Sequence, residues 1–185
     1  MKTPVMTGAG LVAAFMAFCS IASQPAAAQM PEPDSADVAT IDGIVHAYYD
    51  VISGPAGTPR QWRRDSTLYM PGAMFVALGE SEGKPSANPM SPEEFRRRTD
   101  AGLVKNGFFE IELGRRVEQF GNVAQVRSAY EMRRTAEDPP FGRGVNYLLL
   151  YWDGARWWIS GAVWDDERPD NPLPAEWATT TDSGS

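Results

Sequence analysis

Residues 145–164 read VNYLLLYWDGARWWISGAVW, two aromatic-rich runs hinged at Asp153-Gly154. An Asp-Gly pair supplies the two positive-φ positions of a tight hairpin turn, and both flanks are rich in strand formers. So much tryptophan in one hairpin points to a deep core or an aromatic-walled pocket. Strand parity puts Asn146, Leu148, Leu150 and Trp152 on one face. Tyr147, Leu149, Tyr151 and Trp158 form an opposite face that is unusually apolar for one turned to solvent.

Working back from the hairpin, two long strands precede it. In the first, Phe109, Ile111, Leu113 and Val117 share one face, while Glu110, Glu112, Arg116 and Glu118 take the other. Gly121-Asn122 is a two-residue turn signal. The next strand sets Ala124, Val126, Ser128, Tyr130 and Met132 against Gln125, Arg127, Glu131 and Arg133. Upstream, Ser91-Pro92-Glu93-Glu94 predicts a helix start, with a Ser cap and Pro in the first turn, and the helix runs to about Val104. Ala73 to Leu78 reads as a strand, followed by a Gly/Ser/Pro loop over 79–90. Apolar residues at Val38, Ile41, Ile44, Val45, Tyr48, Val51 and Ile52 have helical spacing. A second short helix is expected from Thr58-Pro59 through Tyr69.

The N-terminus reads as a targeting segment. Lys2 precedes an apolar run over 11–22, and Ala26-Ala27-Ala28 offers small residues at −3 and −1 before Gln29. The run is too short for a comfortable membrane anchor, which needs about 20 residues. Bulky Phe18 before Cys19 argues against a lipoprotein signal. The expected division is a signal peptide (1–28), a polar leader (29–35), one domain (36–167), and a proline-rich arm with a disordered tail (168–185). The arm is expected to pack through Leu173 and Trp177. The expected location is periplasmic or secreted, with no stable membrane anchor after cleavage. Cleavage removes Cys19, the single cysteine, so the mature chain forms no disulfide and its core must stabilise it. It also takes the formal charge from −7 to −8, a poor balance for nucleic acid or anionic lipid. The Arg96-Arg97-Arg98, Arg115-Arg116 and Arg133-Arg134 runs read as solvated faces balanced by neighbouring glutamates.

Helix, helix, strand, helix and then four antiparallel strands is an α+β order, a cone-shaped fold with three N-terminal helices packed on a curved, mostly antiparallel sheet. Tyr48-Tyr49-Asp50 with Ser53-Gly54, the run Leu68 to Ala73, and the hairpin residues Trp152-Asp153-Gly154 and Arg156 to Ile159 are the relevant motifs. Through them the chain resembles the nuclear-transport-factor-2-like superfamily, which includes ketosteroid isomerase, scytalone dehydratase and SnoaL-type cyclases. It also resembles uncharacterised exported members that end like Trp164 to Pro172. The resemblance covers roughly residues 36–166 and implies a pocket between helices and sheet. Such motifs indicate a fold, while function must be argued from the site.

The isomerase chemistry implied by that resemblance does not carry over. Tyr48 stands at the tyrosine position, but the base falls at Ala77 and the protonated aspartate at Leu148, which can neither take nor donate a proton. His46, the single histidine, lies about 200° round the helix from the apolar stripe and points to solvent. With one histidine and no mature cysteine, no zinc, copper or haem ligand set is expected, and no cofactor. Asp165-Asp166-Glu167 lacks the spacing of a calcium loop. No nucleophile elbow, P-loop or dinucleotide turn occurs.

What remains is a pocket. The expected lining is Tyr48, Trp62, Phe75, Tyr130, Asn146, Leu148 and Trp164, with Gly161 able to hold a bulge that redirects Trp164 or Asp165. Asn146 is the favoured polar contact, because an amide both donates and accepts; a buried amide bonded to backbone is the alternative. Three functions stay open. The first is an exported domain that binds a small, largely apolar molecule without catalysis. The second is an enzyme of dehydratase, isomerase or cyclase type using Tyr48, Asn146 or Asp165. The third is an assembly domain, and a homodimer through the outer sheet face is compatible with all three.

Overall fold

Helix starts are set by side chains that satisfy free backbone N–H groups. Asp34 accepts from Ala36 N at 2.9 Å to cap a single turn, α1 (Ser35–Val38). Thr40 accepts from Gly43 N at 2.9 Å and opens α2 (Ile41–Asp50). That second cap divides what the apolar spacing predicts as one helix. The expected second helix shrinks to one turn, α3 (Trp62–Asp65). The Arg60 guanidinium, bonded to the carbonyls of Gly54 and Thr58, holds the segment before it as a loop. Ser91 accepts from Glu94 N at 3.1 Å and starts α4 (Pro92–Asn106), as its sequence predicts.

The computed structural model describes residues 30–81 and 83–178. The expected signal segment and the end of the tail, 179–185, lie outside the described residues. Six strands form one sheet: β1 (Tyr69–Ser81), β2 (Lys84–Met90), β3 (Phe109–Phe120), β4 (Val123–Arg133), β5 (Gly142–Trp152) and β6 (Trp157–Asp166). Their order is β2-β1-β6-β5-β4-β3. Neighbours are antiparallel except β1 and β6, which run parallel. This is the α+β architecture expected from the element order.

Two expectations about the first strand are corrected. The strand expected from Ala73 begins at Tyr69, where a helix is expected to end, and holds Met70-Pro71-Gly72 as an irregularity between the Tyr69 and Met74 pairings. The expected loop over 79–90 is largely strand: β1 continues to Ser81 and β2 returns along it, Phe75 opposite Met90. Pro85 and Pro89 are tolerated because β2 is the outermost strand, where a missing donor faces outward. The hairpin at Asp153-Gly154 is also looser than a two-residue turn. Four residues connect β5 to β6, with Gly154 at φ 102°. Asp153 accepts from Ala155 N and Arg156 N at 2.8 and 2.9 Å, an Asx turn that replaces a second positive-φ residue.

The concave face carries the main core. Ile44, Val45 and Tyr48 of α2 pack there with Val126, Leu148, Leu150 and Ile159 of the sheet, all buried. Bulges decide which side chains reach this face. In β6 the register slips between Gly161, paired with Leu149, and Ile159, paired with Leu150. The slip reverses parity, so Ile159 and Ala162 are buried on the concave face, and the half-buried Trp164 and the exposed Asp166 line the cavity on the same side. In β3 a slip between Glu112 and Gly114 does the same, leaving Glu110 opposite Met132 and Glu112 opposite Tyr130.

The arm beyond β6 crosses the convex face. Leu173 and Trp177 (of α5, Ala175–Ala178) cluster with Ala129, Leu113 and Val145, and Arg127 lies 4.4 Å over the Trp177 ring. Beside the arm, Tyr147, Leu149, Val163, Met74 and Leu78 remain exposed on neighbouring strands.

Candidate functional site

Between α2, α4 and the concave face lies a cavity of about 190 Å³. Its apolar wall comes from Tyr69 and Phe75 of β1, Phe95 and Leu103 of α4, Phe108 and Trp164. Phe75, Phe95 and Trp164 meet edge to face, with centroids 5.6 to 6.1 Å apart, which fixes the three rings against one another. Asp65 anchors Tyr69 from behind, accepting from its hydroxyl at 3.1 Å and from Arg96 at 2.6 Å.

The polar wall has two carboxyl groups. Glu110 reaches the cavity at the start of β3. Its residual exposure is divided between the cavity and an outer cleft beside His46, Tyr49 and Glu112. Asn146 donates to Glu110 Oε1 at 3.1 Å and to the Tyr49 hydroxyl at 3.2 Å. Tyr49 donates to Ser128 Oγ at 2.7 Å, and Ser128 donates to Glu112 Oε1 at 2.5 Å. Asn146 is therefore a fixed amide whose two N–H groups are both engaged. Asp166 is the second carboxyl, accepting from the Tyr130 hydroxyl at 2.5 Å. Burial pushes the Glu110 carboxyl up to about 7; the Asn146 bond works against this, and the Asp166 charge adds to it. Burial first and nearby carboxylates second hold the Tyr48 hydroxyl well above its ordinary range, so it stays protonated as a donor.

Of the residues singled out by sequence, Tyr48, Phe75, Tyr130, Asn146 and Trp164 line this cavity. Three others sit elsewhere. Trp62 turns away and donates from Nε1 to Asp100 at 2.6 Å, because the single turn of α3 aims it along α4. Leu148 is wholly buried against the helices and reaches no open space. Asp165 faces outward, bound to Arg168 at 2.5 Å, since the β6 bulge turns Asp166 inward in its place. His46 is exposed on α2. Glu110 and Asp166 are the functional groups that strand alternation missed. Among the described residues, no group of three or more His, Cys, Asp or Glu side chains is placed to hold a metal ion.

No family model matches the chain, and no curated protein does. Solved structures match at low identity. A Mycobacterium tuberculosis protein of unknown function is 17% identical over 78% of each chain, with a TM-score of 0.51. A cystatin-like-fold protein of unknown function from Nostoc punctiforme is 9% identical, covering 72% of this chain and 92% of its own, with a TM-score of 0.50. An NTF2-like protein of unknown function from Methylobacillus flagellatus is 16% identical, covering 69% and 92%, with a TM-score of 0.46. The Mycobacterium tuberculosis and Nostoc punctiforme proteins share this chain's overall fold. At such identities the likeness shows the fold alone.

Proposed function

We propose that this is an exported domain that binds one small, largely apolar molecule in the cavity between its helices and sheet. The observation that carries this reading is a preformed space of about 190 Å³, ringed by aromatic side chains, with Glu110, Asp166 and the Tyr48 hydroxyl on one wall. An apolar cavity of about 150 Å³ admits benzene, so the occupant is a single ring or a short branched chain. The uncovered convex patch (Tyr147, Leu149, Val163, Met74, Leu78) supports a second copy docked beside the arm.

Native mass spectrometry of protein exported to a bacterial periplasm tests these points together. The expected species is a dimer of chains beginning at Gln29, carrying a retained small molecule. The Leu103→Trp variant, which fills the cavity, is expected to lose that mass while remaining folded. Wild-type protein that carries nothing and shows no thermal shift with any small probe would overturn the binding reading.

Glu110 favours a second reading, an enzyme that transfers protons. A carboxyl titrating near 7 exchanges a proton readily at neutral pH, and the Tyr48 hydroxyl stands in the same cavity. On this reading the protein accelerates deuterium wash-in at the carbon beside the carbonyl of cyclohexanone, followed by NMR, and Glu110→Gln removes the acceleration. A rate equal to that in buffer leaves binding without catalysis.

A further inference from the structure

We infer that the occupant of this cavity is a small organic cation, an ammonium carried on an apolar body. The inference rests on the binding reading above and names the ligand's charge. Among the described residues, two carboxyl groups line the cavity, and no lysine, arginine or histidine does. The nearest ion pairs are turned away from it. Arg96 is committed to Asp65 behind Tyr69, Arg115 to Glu112, and Arg168 to Asp165 on the convex side.

The three charge classes of ligand fare differently in such a space. An anion meets two carboxyl groups and no compensating donor charge. A neutral apolar molecule strips water from both carboxyls and returns nothing to them. An ammonium places positive charge beside the part-buried Glu110 carboxyl, with the more exposed Asp166 on the same wall. Its carbon-bound hydrogens or methyl groups rest against aromatic rings, whose faces attract cations. Tyr69, Phe75, Phe95 and Trp164 supply those rings, and the edge-to-face packing of the last three keeps the wall in place without the ligand.

Binding should then be linked to protonation. The groups facing Glu110 are Tyr48, Tyr49, His46 and Asp50 from α2, Tyr130 from β4, Asn146 from β5, Asp166 from β6 and Glu112 on its own strand. None of those in the cavity carries positive charge, so beyond the Asn146 bond the ligand's charge is what favours the ionised carboxylate. Cation affinity therefore rises as Glu110 loses its proton, between about pH 5 and pH 8, and binding releases a proton.

Three molecules of one shape test the inference: choline, its neutral carbon isostere 3,3-dimethylbutan-1-ol, and the anion 3,3-dimethylbutanoate. Isothermal titration of the whole protein is expected to show choline binding at least about tenfold tighter than the alcohol, with no binding of the anion. In the Glu110→Gln/Asp166→Asn double variant, which keeps side-chain volume, the preference should fall to about twofold or less. The thermal transition of that variant confirms that it is folded. Equal or tighter binding of the alcohol overturns the cation inference and leaves the binding reading intact. A choline affinity that does not change with pH overturns it as well. Failure of all three probes, together with no retained mass in native spectrometry, overturns both.

Discussion

Glu110→Gln is expected to stabilise the protein above neutral pH and to leave it unchanged in acid. The carboxyl has an ordinary value of 4.5 and stands at about 7 in the folded chain, raised first by burial. Below about pH 4.5 it is neutral in both states and costs nothing. Between about 4.5 and 7 the unfolded chain ionises while the folded chain still holds the proton. The folded state therefore binds more protons, and stability falls as pH rises. Above about 7 both states are ionised and the whole penalty is present, with a ceiling of about 3 kcal/mol at 1.36 kcal/mol per unit. Glutamine keeps the shape and still accepts from Asn146 Nδ2, so it removes the penalty without opening a hole. Chemical denaturation at about pH 4 and pH 8 checks this. Equal stability of the two proteins at both values would show that Glu110 is well solvated.

The same residue marks where sequence reasoning stopped. Alternating Glu110, Ile111, Glu112 and Leu113 reads as a strand with acids toward water, because a lone strand cannot reveal what covers its polar side. The partners on β4 held a usable signal. Pairing Glu110 with Met132 and Glu112 with Tyr130 puts the acids on the same face as Ser128 and Val126, which is the core face. Trp164 is placed by the bulge that Gly161 permits, whereas Tyr48, Tyr130 and Asn146 were legible because each lies on a strand or helix of regular period. Asp166 was not, since a one-residue slip in β6 exchanges it with Asp165, and a glycine shows only that a slip is permitted there. The hairpin at 145–164 was read correctly as strand, turn, strand, while its turn was set by the Asp153 side chain rather than by two backbone positions. Prolines hid β2, because an outermost strand tolerates what an inner one cannot.

These misreadings share a cause. Periodicity reports which residues alternate, and the helices above the sheet decide which alternation faces the core. Here α2 covers acids together with the hydroxyl and amide groups that satisfy them, a buried network in which Asn146, Tyr49, Ser128 and Glu112 each bond the next. Such networks are costly if any member is lost, which binds their geometry to the fold. The cavity inherits that rigidity on one side from the network and on the other from packed rings.

The remaining side of the cavity depends on one buried cation. Arg60 is 6% exposed, and its guanidinium donates to the carbonyls of Gly54, Thr58 and Leu103 at 2.8, 3.0 and 2.7 Å. Leu103 lies in the last turns of α4, where helix carbonyls lack partners and a cation is favoured by the helix dipole. The loop it holds is tied to the same region twice more, by the reciprocal Gly54–Phe108 bonds at 2.7 and 3.0 Å and by Gly57 N to Val104 O at 2.7 Å. Arg60→Ala removes the guanidinium donor from the carbonyls of Pro55, Thr58 and Leu103 and leaves Gly54 O with Phe108 N alone. It is expected to cost about 3–4 kcal/mol, far beyond an ordinary surface change. Arg97→Ala, whose partner Glu94 sits 3.5 Å away on an exposed face, should stay within about 0.5 kcal/mol. Arg60→Lys should fall between them, because an ammonium can reach one carbonyl but cannot span three as the planar fork does. Urea denaturation orders the three variants, and hydrogen exchange over residues 103–108 locates the loss. Since Leu103 and Phe108 line the cavity, Arg60→Lys should also weaken choline binding several-fold while the fold persists. Unchanged affinity in a folded Arg60→Lys protein would mean that the Gly57–Val104 and Gly54–Phe108 bonds hold the end of α4 without the guanidinium fork.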